Sequence, residues 1–323
     1  MRPDKNKAIE MYKTMYTIRT FEERESQLYY QGLQDGFVHL YIGEEAIATG
    51  VCAALNKDDF ITSTHRGHGH IIAKGGDLKK IMAELFGRKT GYCQGKGGSM
   101  HIAAFELGIL GANGMVAGGI PIAAGAALSS MLRKTGQVTA CFFGDGAINE
   151  GAFHSSLNLA SAWKLPVVFV CENNRYGVST PIARVTNIAE DLSVRAEAYN
   201  MPGRRLESDD VMRIYQAASE AVGRAREGGG PSLLVFDTAR FLPHFQGEAE
   251  SFPAYRPVNE VEEARCHDPL DHARKYLLTV EKLSSEELSA IESEIKKRVE
   301  EAIVFAQESE KPDPQTAGEG LFA

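Results

Sequence analysis

Two short apolar segments, with a helix-length segment between them, constrain the fold of this chain more than any other feature. Residues 138–143 and 167–171 are apolar and typical of buried β-strands, and residues 150–163 between them are typical of a helix. Two strands joined by a crossover helix lie parallel, with a right-handed connection. A helix predicted over residues 209–227 and a strand in the following "PSLLVFDTAR" continue the alternation. The chain is therefore predicted to be an α/β protein whose mostly parallel sheet has helices on both faces.

Helical segments extend this α/β unit at both ends. Residues 5–30 carry apolar side chains at a mostly helical period. Near the other end, Ser284 and Glu287 have the spacing of a capping box before a last amphipathic helix. Since the chain has no internal repeat, we expect one domain over residues 1–311 and a flexible polar tail over residues 312–323.

Composition excludes several classes of protein. The 323 residues carry a net charge of −8, spread along the chain, which argues against a nucleic-acid partner. No run of about 18 apolar residues is present, so we expect no membrane span. The five cysteines form no C-x-x-C pair and are typical of a reducing compartment. Because the first residues also lack the apolar core of a signal peptide, we expect a cytoplasmic protein.

Polar residues follow both strands of the β-α-β unit at the point where each strand ends. Gly144, Asp145 and Gly146 follow the first strand, and Asn174 follows the second. Ligands of open α/β sheets bind beyond these strand ends, and a carboxylate with an amide oxygen suits Mg²⁺ bound to phosphate. The glycines let backbone amides approach a ligand, and the next helix presents its N-terminal amides. The alternative is that these residues form only a turn after the first strand and a capped loop after the second. The first motif alone favours this alternative, but the two motifs together disfavour it. The pair predicts a site for Mg²⁺ and a diphosphate.

This pair of motifs resembles the thiamine diphosphate-binding motif. The wider stretch "GDGAINEGAFHSSLNLASAWKLPVVFVCENNRYG" resembles the alpha subunit of the decarboxylating component of two-subunit 2-oxoacid dehydrogenases and of the related acetoin dehydrogenases. Further stretches resemble that family in the same order, over about residues 21–247: "FVHLYIGEEA", "ITSTHRGHGH", "GKGGSMH", "GANGMV" and "GIPIAAGAAL". The resemblance implies the thiamine diphosphate-binding fold with helical extensions.

The resemblance also implies a set of metal and diphosphate ligands. By position, the side chains of Asp145 and Asn174 and the backbone carbonyl of Tyr176 would bind Mg²⁺. Two diphosphate oxygens and a water would complete the octahedron. Gly146 and Ala147 would contact the diphosphate through their backbones.

Four further residues match cofactor positions of the family. Arg66 would clamp the diphosphate, a task for which its planar guanidinium is suited. Gly114 and Val116 match positions that line the pyrimidine and the diphosphate. His65 stands where the pyruvate enzymes have a tyrosine, as it does in the acetoin relatives.

Three histidines match family positions near the reacting groups, which implies catalytic roles for them. His39 matches a position that faces the substrate, His65 follows the strand that leads to the cofactor, and His244 matches a position near the diphosphate and the reacting carbon. A partly buried structural histidine is the alternative for His39. Spacing alone would also allow zinc binding by His65, His68 and His70, but no cysteine or paired acid supports that alternative.

One part of the chemistry has no counterpart in this chain. Thiamine diphosphate needs a glutamate beside its aminopyrimidine ring, and in the family that residue lies on a second domain that this chain is too short to hold. The resemblance therefore implies a beta subunit that supplies the glutamate. It also implies a two-plus-two heterotetramer with the cofactor at the subunit interface, and a lipoyl carrier that receives the product.

Three hypotheses about function follow. The first is an alpha subunit of a dehydrogenase component that acts on a pyruvate-like 2-oxoacid or on acetoin. The second is a two-subunit, transketolase-like transferase that moves a two-carbon unit to an aldehyde or a carrier protein. The loop "PHFQGE", where the acetoin relatives have "GHFEGD", fits this alternative weakly. The third is a non-catalytic relative, against which the intact motifs argue.

The sequence does not select the donor, because the other subunit would shape half of the pocket.

Overall fold

The central sheet has five strands, and all of its neighbouring pairs are parallel. The computed structural model describes residues 3–34, 36–248 and 254–319. Their strands are β1 Phe60–Thr62, β2 Thr139–Gly144, β3 Val167–Asn173, β4 Tyr176–Gly177, β5 Thr180–Pro181, β6 Gly203–Glu207 and β7 Ser232–Asp237. The sheet order is β1-β2-β3-β7-β6, and β4 and β5 form a separate antiparallel hairpin.

Helices cover both faces of this sheet. Those of the described residues are α1 Lys5–Tyr30, α2 Glu45–Ala54, α3 His68–Ala73, α4 Leu78–Leu85, α5 Gly119–Arg133, α6 Gly151–Ala162, α7 Val211–Arg226, α8 Val258–Arg265, α9 Pro269–Thr279 and α10 Ser285–Glu308. The bounds of α1 are those predicted, and α6 and α7 begin and end within two residues of the predicted bounds. The architecture confirms the predicted α/β class.

Polar side chains fix where several helices begin. The side chains of Asp4, Asp77 and Asp210 accept hydrogen bonds from the first backbone N–H groups of α1, α4 and α7. At the start of α10, Ser284 Oγ accepts from the N–H of Glu287, and the Glu287 carboxylate accepts from the N–H of Ser284 at 2.8 Å. Each cap satisfies backbone donors that have no partner within the helix. The predicted capping box is thus confirmed.

Alternate residues of the central strands enter two separate hydrophobic cores. On β3, Val168 and Val170 belong to the core formed with α1, α2, α7 and α10, whereas Val167 and Phe169 belong to the core formed with α5 and α6. All four side chains are fully buried. This period of two is expected of a strand that is covered on both faces. The helices therefore bury the faces of the sheet and leave the strand ends for a ligand.

Several elements were absent from the sequence prediction. They include strand β6, the β4–β5 hairpin, helices α8 and α9, a 3-10 turn, Asp145–Asn149, between β2 and α6, and helix α3, where the sequence indicated a polar loop. The sequence of β6 is charged and mostly exposed, and no residue of α8 is buried, so neither has an apolar period to detect.

The chain beyond α10 was predicted to be a flexible tail. It contains a short 3-10 turn, Pro314–Thr316, and Lys96 Nζ donates to the carbonyl oxygens of Thr316 and Glu319 at 3.1 and 2.6 Å. The last four residues of the predicted tail lie outside the described residues. The division into one domain and a flexible tail stays a prediction. Among the described helices, none is long and apolar enough to cross a membrane.

Candidate active site

A cavity of about 220 Å³ lies beyond the carboxyl ends of β2 and β3. This is the edge at which an open α/β sheet binds its ligands. All the site residues that the sequence predicted line this one cavity, although they come from six separate stretches of the chain: His39, His65, Arg66, Gly114, Val116, Asp145, Gly146, Ala147, Asn174, Tyr176 and His244. The fold therefore brings the predicted cofactor and catalytic residues together; their individual roles stay predictions.

Asp145 follows β2 directly and is almost fully buried. Its side chain is 2% exposed, and its Oδ2 has no hydrogen-bond partner among the described residues. Burial raises the pKa of Asp145 to about 6, although the Arg240 charge and nearby backbone N–H groups act in the opposite direction. A buried carboxylate oxygen without a partner is costly unless something else binds it. Asp145 thus has the properties of a ligand for a cation.

Asn174 lies on the opposite side of the same edge, after β3. Its Nδ2 donates to Glu44 Oε1 at 3.0 Å, and its Oδ1 accepts from the backbone N–H of Tyr176 at 3.3 Å. The amide nitrogen is therefore engaged away from the cavity centre by Glu44, while the oxygen has only one long hydrogen bond. This arrangement leaves Oδ1 with acceptor capacity for a metal ion.

The hairpin that carries Tyr176 has an unusual backbone. Arg175 and Val178 both have positive φ, at 69° and 54°. Positive φ is rare for residues other than glycine and especially rare for a β-branched one. Strain of this kind occurs mainly where the surrounding structure enforces it, often at functional sites. Here Arg240 Nη2 donates to the Val178 carbonyl at 3.0 Å, which holds the strained residue in place.

The glycines of the first motif leave open space at the cavity. A Cβ added at Gly144 would meet no atom within 4 Å, and one at Gly146 would meet only Gly177 Cα at 3.9 Å. The 3-10 turn carries Gly146 and Ala147, and α6 begins at Gly151, next to its predicted start. The backbone beside the cavity is therefore that of the turn, and the contact of Gly146 and Ala147 with a diphosphate stays a prediction.

Arg66 has a partner for each part of its guanidinium. Nη1 donates to the Leu40 carbonyl at 2.5 Å, Nη2 donates to the His244 carbonyl at 3.1 Å, and Nε lies 3.3 Å from Glu44 Oε2. The side chain is 4% exposed. Burial lowers the pKa of Arg66, and burial raises the pKa of Glu44 to about 7 despite the arginine. Arg66 thereby joins three stretches of chain around the cavity.

Three imidazoles form one wall of the cavity: His39, His65 and His244, called the cavity histidines below. Their ring centroids are 4.7 to 5.1 Å apart. Burial is the largest cause that lowers their pKa values, to about 2 for His39 and about 3 for His65, with that of His244 also far below its usual range. The nearby charges of Arg66 add to this effect. All three rings are therefore neutral near pH 7, and each offers one donor and one acceptor.

The other two histidines of "HRGHGH" point elsewhere. His68 Nδ1 lies 3.0 Å from Glu22 Oε2, and its Nε2 lies 2.9 Å from Ser99 Oγ. The two ring nitrogens of His70, Nδ1 and Nε2, also have hydrogen-bond partners of their own. The zinc alternative suggested by spacing is therefore not supported, because His68 and His70 do not share a ligand position with His65 among the described residues.

Three charged residues of the site were not predicted from the sequence: Glu44, Glu172 and Arg240. Glu172 on β3 accepts from the hydroxyl of Tyr41 and lies 3.0 Å from His70 Nε2. Arg240 is 2% exposed, and its Nε and Nη1 have no partner among the described residues. Glu44 and Glu172 lie inside the stretches "YIGEEA" and "CENN", so the family resemblance could have found them. At Arg240 the chain has Ala239-Arg240 where the family has a tyrosine-arginine pair, so the resemblance gave this residue no role.

The loop that carries His244 contains the residues that differ from the acetoin pattern. Glu248 accepts the backbone N–H of His244, and Gln246 donates its backbone N–H to the Val38 carbonyl at 2.9 Å. Gln246 Oε1 also accepts from Ser26 Oγ at 3.0 Å. The altered side chains therefore hold the loop against α1 and the segment before His39, and His244 keeps its place at the cavity.

Comparison with known proteins identifies the family of this chain. A model of the family described as "Dehydrogenase E1 component" matches residues 13–315. The chain belongs to this family. The acetoin:2,6-dichlorophenolindophenol oxidoreductase alpha subunit of Bacillus subtilis is 50% identical over 307 residues, which cover 95% of this chain and 90% of that protein. The corresponding subunit of Cupriavidus necator is 44% identical, with 97% and 93% covered. The pyruvate dehydrogenase E1 component alpha subunit of Porphyra purpurea is 40% identical, with 99% and 94% covered.

These findings confirm the family predicted from the sequence. They place the chain among alpha subunits of the acetoin and pyruvate dehydrogenase E1 components, which are oxidoreductases. Membership of the E1 family implies the use of thiamine diphosphate. The names of these relatives support the first functional hypothesis and give no support to the transketolase-like alternative.

Proposed function

We propose that this chain is the alpha subunit of a thiamine diphosphate- and Mg²⁺-dependent E1 component that cleaves acetoin or a similar neutral hydroxyketone. It works with a beta subunit in a two-plus-two heterotetramer, and a lipoyl carrier receives the acyl or aldehyde unit. The observation that carries this proposal is the convergence of Asp145, Asn174 and Arg66 on one cavity at the carboxyl ends of β2 and β3.

The residues at this edge fit a magnesium ion. The Oδ2 atom of Asp145 is buried and lacks a partner, and Asn174 Oδ1 keeps acceptor capacity. Together with the backbone carbonyl of Tyr176 they would form an all-oxygen set, which Mg²⁺ prefers. When the ion is bound, it neutralises the charge of the buried carboxylate and of the diphosphate.

The neighbouring residues fit the cofactor. The 3-10 turn offers the backbone of Gly146 and Ala147 where no side chain intrudes, and Arg66 supplies the positive charge for a diphosphate. Gly114 and Val116 line the opposite side of the cavity, where the ring system would lie. When bound, thiamine diphosphate supplies the carbanion chemistry, and the protein supplies orientation and exclusion of water.

The cavity histidines would handle protons at the donor. Because burial keeps His39, His65 and His244 neutral, each can accept a proton from a substrate hydroxyl or donate one to a substrate carbonyl oxygen. The glutamate that acts on the aminopyrimidine ring would come from the beta subunit.

The charges of the cavity favour a neutral donor over a 2-oxoacid. Among the described residues that line the cavity, Arg66 is the one arginine or lysine, and Glu44, the Leu40 carbonyl and the His244 carbonyl already engage it. Arg240 lies outside this lining although its charge acts on His65 and His244, so a donor carboxylate would directly contact carboxylates and neutral imidazoles on this chain. The two relatives named for acetoin are also more similar to it than the pyruvate dehydrogenase relative.

The test is a donor panel. The chain is purified with its beta subunit and given thiamine diphosphate and Mg²⁺, and reduction of 2,6-dichlorophenolindophenol is followed with acetoin, pyruvate and branched 2-oxoacids. We expect reduction with acetoin that exceeds the rate with any 2-oxoacid by about tenfold or more, the factor that one unpaired buried charge produces.

Two results would count against parts of the proposal. Reduction with a 2-oxoacid but not with acetoin overturns the neutral donor and keeps the dehydrogenase. Absence of reduction across the panel, with thiamine diphosphate bound as measured by calorimetry, overturns the dehydrogenase and favours transfer of a two-carbon unit from a ketose.

A further inference from the structure

The carboxylate of Glu44 lies between two residues of the proposed cofactor site. Its Oε1 accepts a hydrogen bond from Asn174 Nδ2 at 3.0 Å, and its Oε2 lies 3.3 Å from Arg66 Nε. Asn174 follows β3 and Arg66 precedes α3, so these two residues are far apart in the chain. The Glu44 carboxylate joins them.

The position of Glu44 indicates that its side chain serves the cavity rather than the helix beside it. The residue stands just before α2, where a side chain usually accepts a hydrogen bond from the first helical N–H groups, but Glu44 makes no such cap. It is 1% exposed and lines the cavity. A carboxylate that is buried away from water and does not cap a helix needs other strong hydrogen-bond or charge partners. Asn174 and Arg66 are those partners.

This contact determines how each partner is presented. Because Glu44 takes the Nδ2 end of Asn174, the Oδ1 end is the one left for an ion. Because Glu44 takes Nε of Arg66, the guanidinium plane is fixed from one side, while its Nη atoms donate to the Leu40 and His244 carbonyls. Movement of either partner therefore changes the geometry of the other.

We propose that Glu44 is a positioning residue that couples the metal ligand Asn174 to the diphosphate clamp Arg66. The inference rests on the proposed function, since it assumes that an ion and a diphosphate bind at this edge. It predicts that the affinities for the metal and for the diphosphate rise and fall together, since coupling between two sites is reciprocal.

The experiment measures binding without turnover. The complex with the beta subunit is prepared as wild type, Glu44→Ala, Glu44→Gln and, as a matched control, Glu25→Gln. Glu25 is also a fully buried glutamate, but it lies outside the cavity and contacts Gln34. Binding of thiamine diphosphate at saturating Mg²⁺ is measured by calorimetry, and binding of Mn²⁺ at saturating cofactor is measured by electron paramagnetic resonance.

Each variant has its own expected result. Glu44→Ala removes both contacts and raises both dissociation constants by about tenfold or more, as expected for the loss of charge-assisted hydrogen bonds. Glu44→Gln keeps an oxygen for Asn174 Nδ2 but loses the charge that faces Arg66. It therefore weakens the binding of the cofactor and of Mn²⁺ together, each by about threefold or more and by less than in Glu44→Ala. Glu25→Gln leaves both constants unchanged.

The outcomes separate this inference from the proposed function. Wild-type complex that binds neither Mn²⁺ nor the cofactor contradicts the proposed function itself. Wild-type binding that persists unchanged in both Glu44 variants overturns only the coupling. Should Glu44→Ala not yield folded protein, Glu44→Gln decides, because unchanged cofactor affinity in that variant contradicts the inference on its own.

Discussion

Two regions of this molecule bury histidines in opposite electrostatic settings. The cavity histidines face Arg66 and one another, and burial together with these charges lowers their pKa values. Three residues after His65, burial also disfavours the charged form of His68, but Glu22 and Glu25 outweigh burial and raise its pKa. His68, Glu22, Glu25 and Ser99 are called the acid–histidine network below. The comparison teaches that charge partners from distant segments decide whether the effect of burial on an imidazole is reinforced or reversed.

The two regions consequently serve different purposes. Groups in the cavity keep unpaired atoms, such as Asp145 Oδ2 and His39 Nδ1, while in the network both ring nitrogens of His68 have partners and Glu25 Oε1 has none. Unpaired buried groups lower the stability of the free protein and are retained where a ligand uses them. Paired groups stabilise the fold. Substitutions should therefore affect binding in one region and stability in the other.

The largest effect is expected from Asp145→Asn. Loss of the carboxylate should weaken Mg²⁺-dependent cofactor binding by at least about 100-fold, since a charged ligand becomes neutral. The free protein should gain stability, because burial raises the pKa of Asp145 from 3.8 to about 6. That shift corresponds to a gain of up to about 3 kcal/mol in the free energy of unfolding near neutral pH. Calorimetry of the complex checks cofactor binding, and thermal melting checks stability. A lower melting temperature for the variant would show that Asp145 stabilises the fold, as the acid–histidine network does, and would contradict this prediction.

The opposite result is expected from Glu22→Gln in the acid–histidine network. Glu22 also accepts a hydrogen bond from the backbone N–H of Tyr41 at 3.0 Å. Replacing the Glu22 carboxylate with a neutral amide leaves His68 without its main charged partner. We expect a decrease of about 3 kcal/mol in the free energy of unfolding, as for other broken buried ion pairs. The matched substitution His65→Gln in the cavity should change stability by less than about 1 kcal/mol. Equal destabilisation by both variants, measured by urea unfolding, would remove the distinction between the regions.

The smallest effect is expected in the dependence of stability on pH. The pKa of His65 is lowered from 6.5 to about 3, so its contribution to stability is complete above pH 6.5 and is lost as the pH falls toward 3. The raised pKa of His68 has the reverse sign: its contribution is complete below its unfolded pKa of 6.5 and is lost as the pH rises through the folded value.

Melting curves recorded from pH 4 to 9 check these signs. Relative to wild type, His65→Gln should flatten the acid side, by up to about 1.4 kcal/mol per pH unit, and His68→Gln should flatten the alkaline side. Parallel curves for wild type and His65→Gln between pH 4 and 6.5 would contradict the neutral state of His65.

Sequence reasoning succeeded where local rules determine the structure. Caps such as Ser284 fixed helix starts, and polar residues after apolar runs fixed the ends of β2 and β3. The rule that ligands bind at strand ends then predicted that Asp145 and Asn174 lie at a ligand site, and both line the cavity. These features depend on residues close together in the chain.

Contacts between distant segments could not be predicted in this way. Glu44 approaches Asn174 across 130 residues, and Arg66 approaches His244 across 178. The pairing of Glu22 with His68 is of the same kind. No period or spacing encodes such contacts, because the packing of helices on the sheet creates them. The family resemblance supplied part of this information for His39 and His244 but none for Arg240.

The edges of the sheet also determine how this chain can associate with others. The outer edge of β1 is covered by its own chain, since the N–H of Ile61 donates to the Gly108 carbonyl at 2.8 Å and the N–H of Leu110 donates to the Ile61 carbonyl at 2.9 Å. The other edge strand, β6, is short and carries Arg204 and Arg205, whose charges pair with Glu220 and Asp237. Charged and covered edges resist the addition of a foreign strand. The fold is thus protected against edge-to-edge aggregation, and association with other subunits is left to its helices and loops.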